Sequence, residues 1–178
     1  MAALLLPVSA ACGQTDTASD ADATASATAS PTTSAAASPA TITGACTFLP
    51  ATEVVEVLGA AEGTTLQAKE MAPQKGPAGS RYSCVYGQGD RQALVLGVAE
   101  QTGAAAAGVD AAVKESGATA SQLDGLGERA ATYLVGGFRY VVTAVPHEQG
   151  HRLVFLGASQ IVPQSKLTEL AGRVTQRI

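Results

Sequence analysis

The chain has 178 residues, enough for one ordinary domain with a real core, and carries eleven Lys plus Arg against fifteen Asp plus Glu. Asp16, Asp20 and Asp22 lie in the first quarter, which has no Lys or Arg, so twelve acids face eleven bases from Ala45 onward. A folded part this close to neutral lacks the basic stripe of a nucleic-acid binder, and no apolar run approaches the ~20 residues of a membrane-spanning helix.

The chain starts "MAALLLPVSAAC", an apolar stretch (Ala2–Val8) running through Ser9, Ala10 and Ala11 into Cys12. This resembles the end of a bacterial lipoprotein signal peptide, cleaved just before a cysteine that carries diacylglycerol, with palmitate among its acyl groups. Residues 1–11 are therefore expected to be the signal peptide and Cys12 the lipidation site. The apolar region is short and no basic residue precedes it, which leaves a start upstream of Met1 open. Residues 12–44 follow as lipidated cysteine and tether, nearly all Ala, Thr, Ser, Asp and Pro. Such a segment has too few large apolar groups to offset chain entropy and is expected to be disordered. As a flexible coil its span would be roughly 30 Å. It is suited to hold a domain off a membrane surface, and its Ser and Thr offer sites for O-linked sugars.

Residues 45–178 are read as a single globular domain. A lipid anchor places it outside the cytoplasm, where disulfides persist, so Cys46 and Cys84 are expected to pair. The alternative, metal ligation or a redox centre, has neither a C-x-x-C spacing nor a nearby His in its favour. Closing a loop of about 38 residues would contribute roughly 4 kcal/mol on chain-entropy grounds.

Pro50–Leu58 reads as a short helix, with Val54, Val55 and Leu58 on one face and Gly59 as its stop. "GTTLQAKEM" (63–71) reads as a strand and "APQKGPAGS" (72–80) as a loop. "RYSCVYGQ" (81–88) and "QALVLGVAE" (92–100) follow as strands. "GAAAAGVDAAVKESG" (103–117) is the second helix, weakened by Gly108. Three further strands are expected: "AATYLV" (130–135), "FRYVVTAV" (138–145) and "HRLVFLGAS" (151–159), the first two joined by a Gly136-Gly137 turn. The last helix carries Leu167, Leu170, Ala171, Val174 and Ile178 on one stripe, with Arg173 and Arg177 near its C-terminal end. The expected fold class is α+β: an antiparallel sheet of about six strands, three helices on one face, order α-β-β-β-α-β-β-β-α, and one disulfide. The two α-β-β-β halves suggest an internal pseudo-repeat.

Three motif matches are weighed against their context. His147-Glu148-Gln149-Gly150-His151 spells H-E-x-x-H, in which two histidines on one helical face bind zinc and the Glu activates a water. Pro146 and Gly150 between strand-like flanks argue for a hairpin turn, where the two imidazoles would not share a face and would stand exposed. A third ligand is also needed; Val154 and Gly157 stand where an extended pattern wants Gly and His. "GLGERA" (125–130) matches G-x-G-x-x-A but leads into a strand rather than a helix, so it reads as a loop. Gly103–Gly108 has phosphate-loop glycine spacing, but Val109-Asp110 replaces Lys-Ser/Thr and removes the phosphate and magnesium chemistry. No catalytic residue, metal or cofactor is expected.

"CTFLPATEVVEVLG", "YSCVYG", "LDGLGERA" and a C-terminal amphipathic helix, behind a lipobox and tether, together resemble an actinobacterial secreted lipoprotein family with a domain of unknown function. That family has a Cys-x-Leu-Leu start, a short helix ending in Leu-Gly, and a second Cys followed by an aromatic. The matching residues are Cys46, Leu49, Leu58, Gly59, Cys84 and Tyr86; Phe48 and Tyr86 are mild departures. The resemblance implies a Cys46–Cys84 disulfide and envelope attachment, and no catalytic residues. The expectation is thus a non-enzymatic binding or sensing domain, lipid-anchored on the outer face of the cytoplasmic membrane. Its partner would be an envelope protein, lipid or glycan, not a nucleic acid, met at an apolar cleft lined by residues such as Tyr133, Phe138 or Tyr140. The rivals are an envelope hydrolase using zinc at His147, Glu148 and His151, and a structural cell-wall lipoprotein with no ligand.

Overall fold

The computed structural model describes residues 41–59, 64–76, 79–148 and 150–178. The expected signal peptide, Cys12 and all but the last four residues of the tether lie outside the described residues. A 3-10 turn (Cys46–Phe48) leads into α1 (Ala51–Leu58), β1 (Gln67–Gly76), β2 (Gly79–Gln88) and β3 (Arg91–Thr102). Then come α2 (Ala105–Ser116), β4 (Ala120–Leu123), β5 (Arg129–Val135), β6 (Phe138–His147), β7 (Gly150–Ser159) and α3 (Gln164–Thr175). Among the described residues no helix is long and apolar enough to cross a membrane.

The seven strands form one antiparallel sheet in the order β1-β2-β3-β7-β6-β5-β4. Two meanders, β1–β3 and β4–β7, run outward from a central β3–β7 pair that joins Leu94–Thr102 to Gly150–Ala158. The α+β class, the three helices and the disulfide are as the sequence predicts. Cys46 and Cys84 are bonded, with their Cα atoms 5.0 Å apart.

Three expectations are corrected. The residues read as a loop at 72–80 belong largely to a hairpin: β1 runs on to Gly76 and β2 begins at Gly79. Pro73 is accommodated because β1 is an edge strand with a bulge between Met71 and Gln74, where no ladder donor is needed from proline. The seventh strand, β4, is the short polar "ASQL" that pairs with β5 at the opposite edge. Its side chains carry almost no apolar alternation, so pairing rather than pattern makes it a strand.

The third correction concerns the helices, which cover both faces. Leu94, Leu96 and Val98 of β3 and Val154 and Leu156 of β7 join one buried cluster with Val54 and Val57 of α1 and Leu167, Leu170 and Val174 of α3. The alternate residues of the other face, Ala131 and Tyr133 of β5, Val142 and Ala144 of β6 and Leu153 of β7, bury against Ala105 and Val109 of α2. The reason lies in β6 and β7. "YVVTAV" and "RLVFLGA" are apolar at consecutive positions, the pattern of strands buried on both faces. Because α1 and α2 lie on opposite faces, the two halves share a strand meander but not a repeated α-β-β-β unit.

The helix ends follow local rules. Pro50 precedes α1, Glu53 occupies its first turn, and Gly59 closes it in the left-handed region at φ 67°. The buried face of α1 is Val54 and Val57; Val55 and Leu58 are half-buried flanks. Arg177 and Arg173 of the C-terminal end bind back to α1: Arg177 donates to both Glu53 oxygens at 2.7 and 2.9 Å, and Arg173 to Glu56 at 3.0 Å. Arg177 also donates to the Phe48 carbonyl at 2.9 Å.

Candidate functional site

Helix α2 covers β5, β6 and β7 but does not extend over the same face of β2 and β3, and a groove of about 350 Å³ lies beside it. Register places its floor in two rows. Ser83 lies opposite Gly97, which lies opposite Phe155. One pair along, Val95, Gly157, Tyr140 and Tyr133 stand side by side across β3, β7, β6 and β5. Two glycines in these rows bring the floor down to backbone level. A Cβ on Gly157 would lie 2.6 Å from Tyr140 Cε1, so the Tyr140 ring lies across it. A Cβ on Gly97 would meet Phe155 Cβ at 3.6 Å and Ser83 Oγ at 3.9 Å, ordinary contact, so that notch opens into the groove.

The walls carry the polar chemistry. Ala112, Glu115 and Ser116, at helical spacings of three and four, present one side of α2 to the groove. From β2, Arg81 reaches over the floor with its guanidinium carbon 4.9 Å from the centre of the Phe155 ring, a cation–π contact. Tyr133 and Tyr140 stack with centroids 5.4 Å apart and planes at 18°. Burial, with Tyr140 alongside, pushes the Tyr133 phenol above its ordinary value and keeps it a neutral hydroxyl. A second trough of about 280 Å³, lined by Lys75, Gln74 and Gln101, shares Arg81 and Glu115 with the first. The arrangement is therefore an aromatic floor with one guanidinium and one carboxylate at its rim.

Of the three aromatics expected at a cleft, Tyr133 and Tyr140 line this groove and Phe138 does not; it stands 42% exposed at the start of β6. Sequence reasoning missed Arg81, Glu115, Phe155 and both glycines. The available signal was Gly97 and Gly157 inside otherwise apolar strands, which marks a place where something approaches the backbone closely.

The H-E-x-x-H residues form the β6–β7 hairpin, as the flanks predict. Glu148 adopts φ 43°, the left-handed conformation that such a tight connection demands. His151 lies opposite Pro146 and His147 opposite Gly150, so the two imidazoles point to opposite faces. They do not share a metal site. They are not both exposed either, which corrects the sequence reading. His151 is 2% exposed beneath α2, its Nδ1 3.1 Å from the Gly103 carbonyl. His147 is half-buried, its Nε2 3.3 Å from the buried Arg152 guanidinium, which donates to Glu100 at 2.9 Å.

Among the described residues, the three-residue group with metal-ligand atoms close together is Cys46, Glu70 and Cys84. Its sulfurs are bonded to each other, and Glu70 accepts from the Ala45 and Cys46 backbone N–H groups at 2.9 and 2.8 Å. All three are thereby committed to structure. The glycines of "GLGERA" form a turn into β5, with Gly125 at φ 72° and Gly127 at φ 62°, and no helix follows them. No protein-family model, curated protein or solved structure matches this chain.

Proposed function

We propose that this protein is a non-catalytic binding or sensing domain, held on the outer face of the cytoplasmic membrane by a lipid on Cys12, of the kind found in the actinobacterial lipoprotein family its motifs resemble. The observation that carries the binding role is the groove beside α2. Its floor combines aromatic rings with glycine notches, its rim holds Arg81 and Glu115, and about 350 Å³ lies within the range of small-ligand sites. The Leu-rich start running into Ser9-Ala10-Ala11-Cys12 supports the anchor. A disulfide at Cys46–Cys84 agrees with an oxidising compartment.

The test uses the full chain expressed in an actinobacterial host. Native mass spectrometry of the protein extracted from the envelope should show a bound small molecule, and Gly97→Leu, which fills the notch, should remove it while the protein stays folded. Loss-free Gly97→Leu, or a bare mass from both, overturns the groove as the binding site. In the same cells Cys12→Ser should move the protein from the membrane fraction to the medium; unchanged fractionation overturns the anchor.

A further inference from the structure

We propose that the groove recognises a free α-amino acid with an apolar or aromatic side chain, the carboxylate held by Arg81 and Ser83 and the ammonium by Glu115. This rests on the groove being a ligand site and goes on to the chemical class it takes.

The charges decide the class. Arg81 on β2 and Glu115 on α2 line the same groove from opposite walls, and no ion pair joins them among the described residues. Arg81 instead lies over Phe155, its guanidinium carbon 4.9 Å from the ring centre, and a guanidinium is suited to bind a carboxylate in bidentate fashion. Ser83, two residues along on the same face of β2, lines the same groove and adds a hydroxyl donor to it. A ligand that satisfies both walls carries a negative and a positive group a short distance apart. A purely anionic ligand would leave Glu115 repelling it, and a purely cationic one would meet Arg81.

The floor decides the rest of the ligand. Beyond the Arg81–Phe155 contact the groove is floored by Gly97, Gly157 and Tyr140, a strip with backbone-level notches beside a tyrosine ring. A side chain projecting from a zwitterionic carbon would lie on that strip, where an aromatic ring gains stacking and an aliphatic one gains burial. Size fits as well: about 350 Å³ is the low end of ligand sites, suited to an amino acid rather than a long polymer.

The experiment is isothermal titration calorimetry of the full chain with L-phenylalanine, its methyl ester and its N-acetyl derivative, with toluene as a neutral apolar probe. L-Phenylalanine should bind. The ester, lacking the carboxylate charge, and the N-acetyl form, lacking the ammonium, should each bind roughly tenfold to hundredfold more weakly. Arg81→Gln should weaken phenylalanine by a similar factor yet leave the ester unchanged, and Glu115→Gln should do the same for the N-acetyl form. Both residues are exposed, so thermal unfolding of the variants should match the parent. Equal binding of phenylalanine and its two derivatives overturns the zwitterion assignment. Binding of toluene that Gly97→Leu removes, without binding of phenylalanine, overturns the ligand class and leaves the groove a binding site. Binding of neither overturns both.

Discussion

At Gly108 two residue-scale forces oppose each other. Alanine is worth about 1 kcal/mol more than glycine inside a helix, so the sequence alone makes Gly108 a weakness in α2. In the structure a Cβ there would strike His151 Nε2, which is buried between α2 and the sheet. Gly108→Ala is expected to lower stability by about 1–3 kcal/mol, as overpacking does, rather than raise it. Urea unfolding measures the sign. Removing the imidazole with His151→Ala should relieve the clash, so the double variant should be less destabilised than the sum of the two single ones. A stabilised single variant would show that propensity outweighs this contact. Gly97 shows the converse: its Cβ position is free of clashes, so its lack of a side chain shapes the groove and is not a packing requirement.

At the scale of elements, the last helix is tied to the first by charge as well as by core. Arg177 and Glu53 lie 2.7 Å apart, with Arg173 3.6 Å from the same carboxylate. The Arg177 hydrogen bonds hold the Glu53 carboxyl below its ordinary value of 4.5, outweighing the desolvation that opposes them. A carboxyl whose folded value is depressed stabilises the fold above its unfolded value and loses that contribution as pH falls through the folded one. Glu53→Gln should therefore lower the unfolding midpoint at pH 7 and make progressively less difference as the pH drops below about 4.5. A gap between parent and variant that stays constant from pH 7 to pH 3 would show that the carboxylate charge is not what matters. The pair lies at the surface with Glu53 half-buried, so salt should reduce the effect only in part. The sequence placed Arg173 and Arg177 correctly at the C-terminal end of α3, but for the helix dipole. That their partners are Glu53 and Glu56, more than a hundred residues away, follows from α1 and α3 sharing a face.

For the whole molecule, the disulfide fastens the segment before α1 to the second strand. Cys84 is fully buried in the larger core, and Tyr86 beside it donates its hydroxyl to the Leu49 carbonyl at 2.6 Å. Burial pushes the Tyr86 phenol well above its ordinary value, so it remains a donor at any pH the fold survives. Replacing both cysteines with serine is expected to cost at least about 4 kcal/mol, the chain-entropy value for a loop of 38 residues, with a further loss from burying a serine hydroxyl at position 84. Denaturant unfolding of the parent with and without reductant provides the comparison. A reduced parent as stable as the oxidised one would remove the disulfide from the account of stability.

Element type was legible in the sequence wherever one periodicity dominated. The stripe Leu167-Leu170-Ala171-Val174, the Gly136-Gly137 turn and the Cys46–Cys84 pair are local or compositional signals, and each stands in the structure. Proline and glycine around His147–His151 were likewise enough to predict a hairpin in place of a zinc helix, because backbone preference acts over a few residues. The tertiary structure alone decided what depends on pairing across distance. It made β4 a strand through β5, put α2 opposite α1, and buried His151. The groove is of this second kind. Arg81, Gly97, Glu115, Tyr140 and Phe155 are scattered over 75 positions, and strand register with the placement of one helix brings them to a common surface. A single sequence records each residue's preference for its own conformation, whereas a site is a relation between residues that exists only once the sheet has formed.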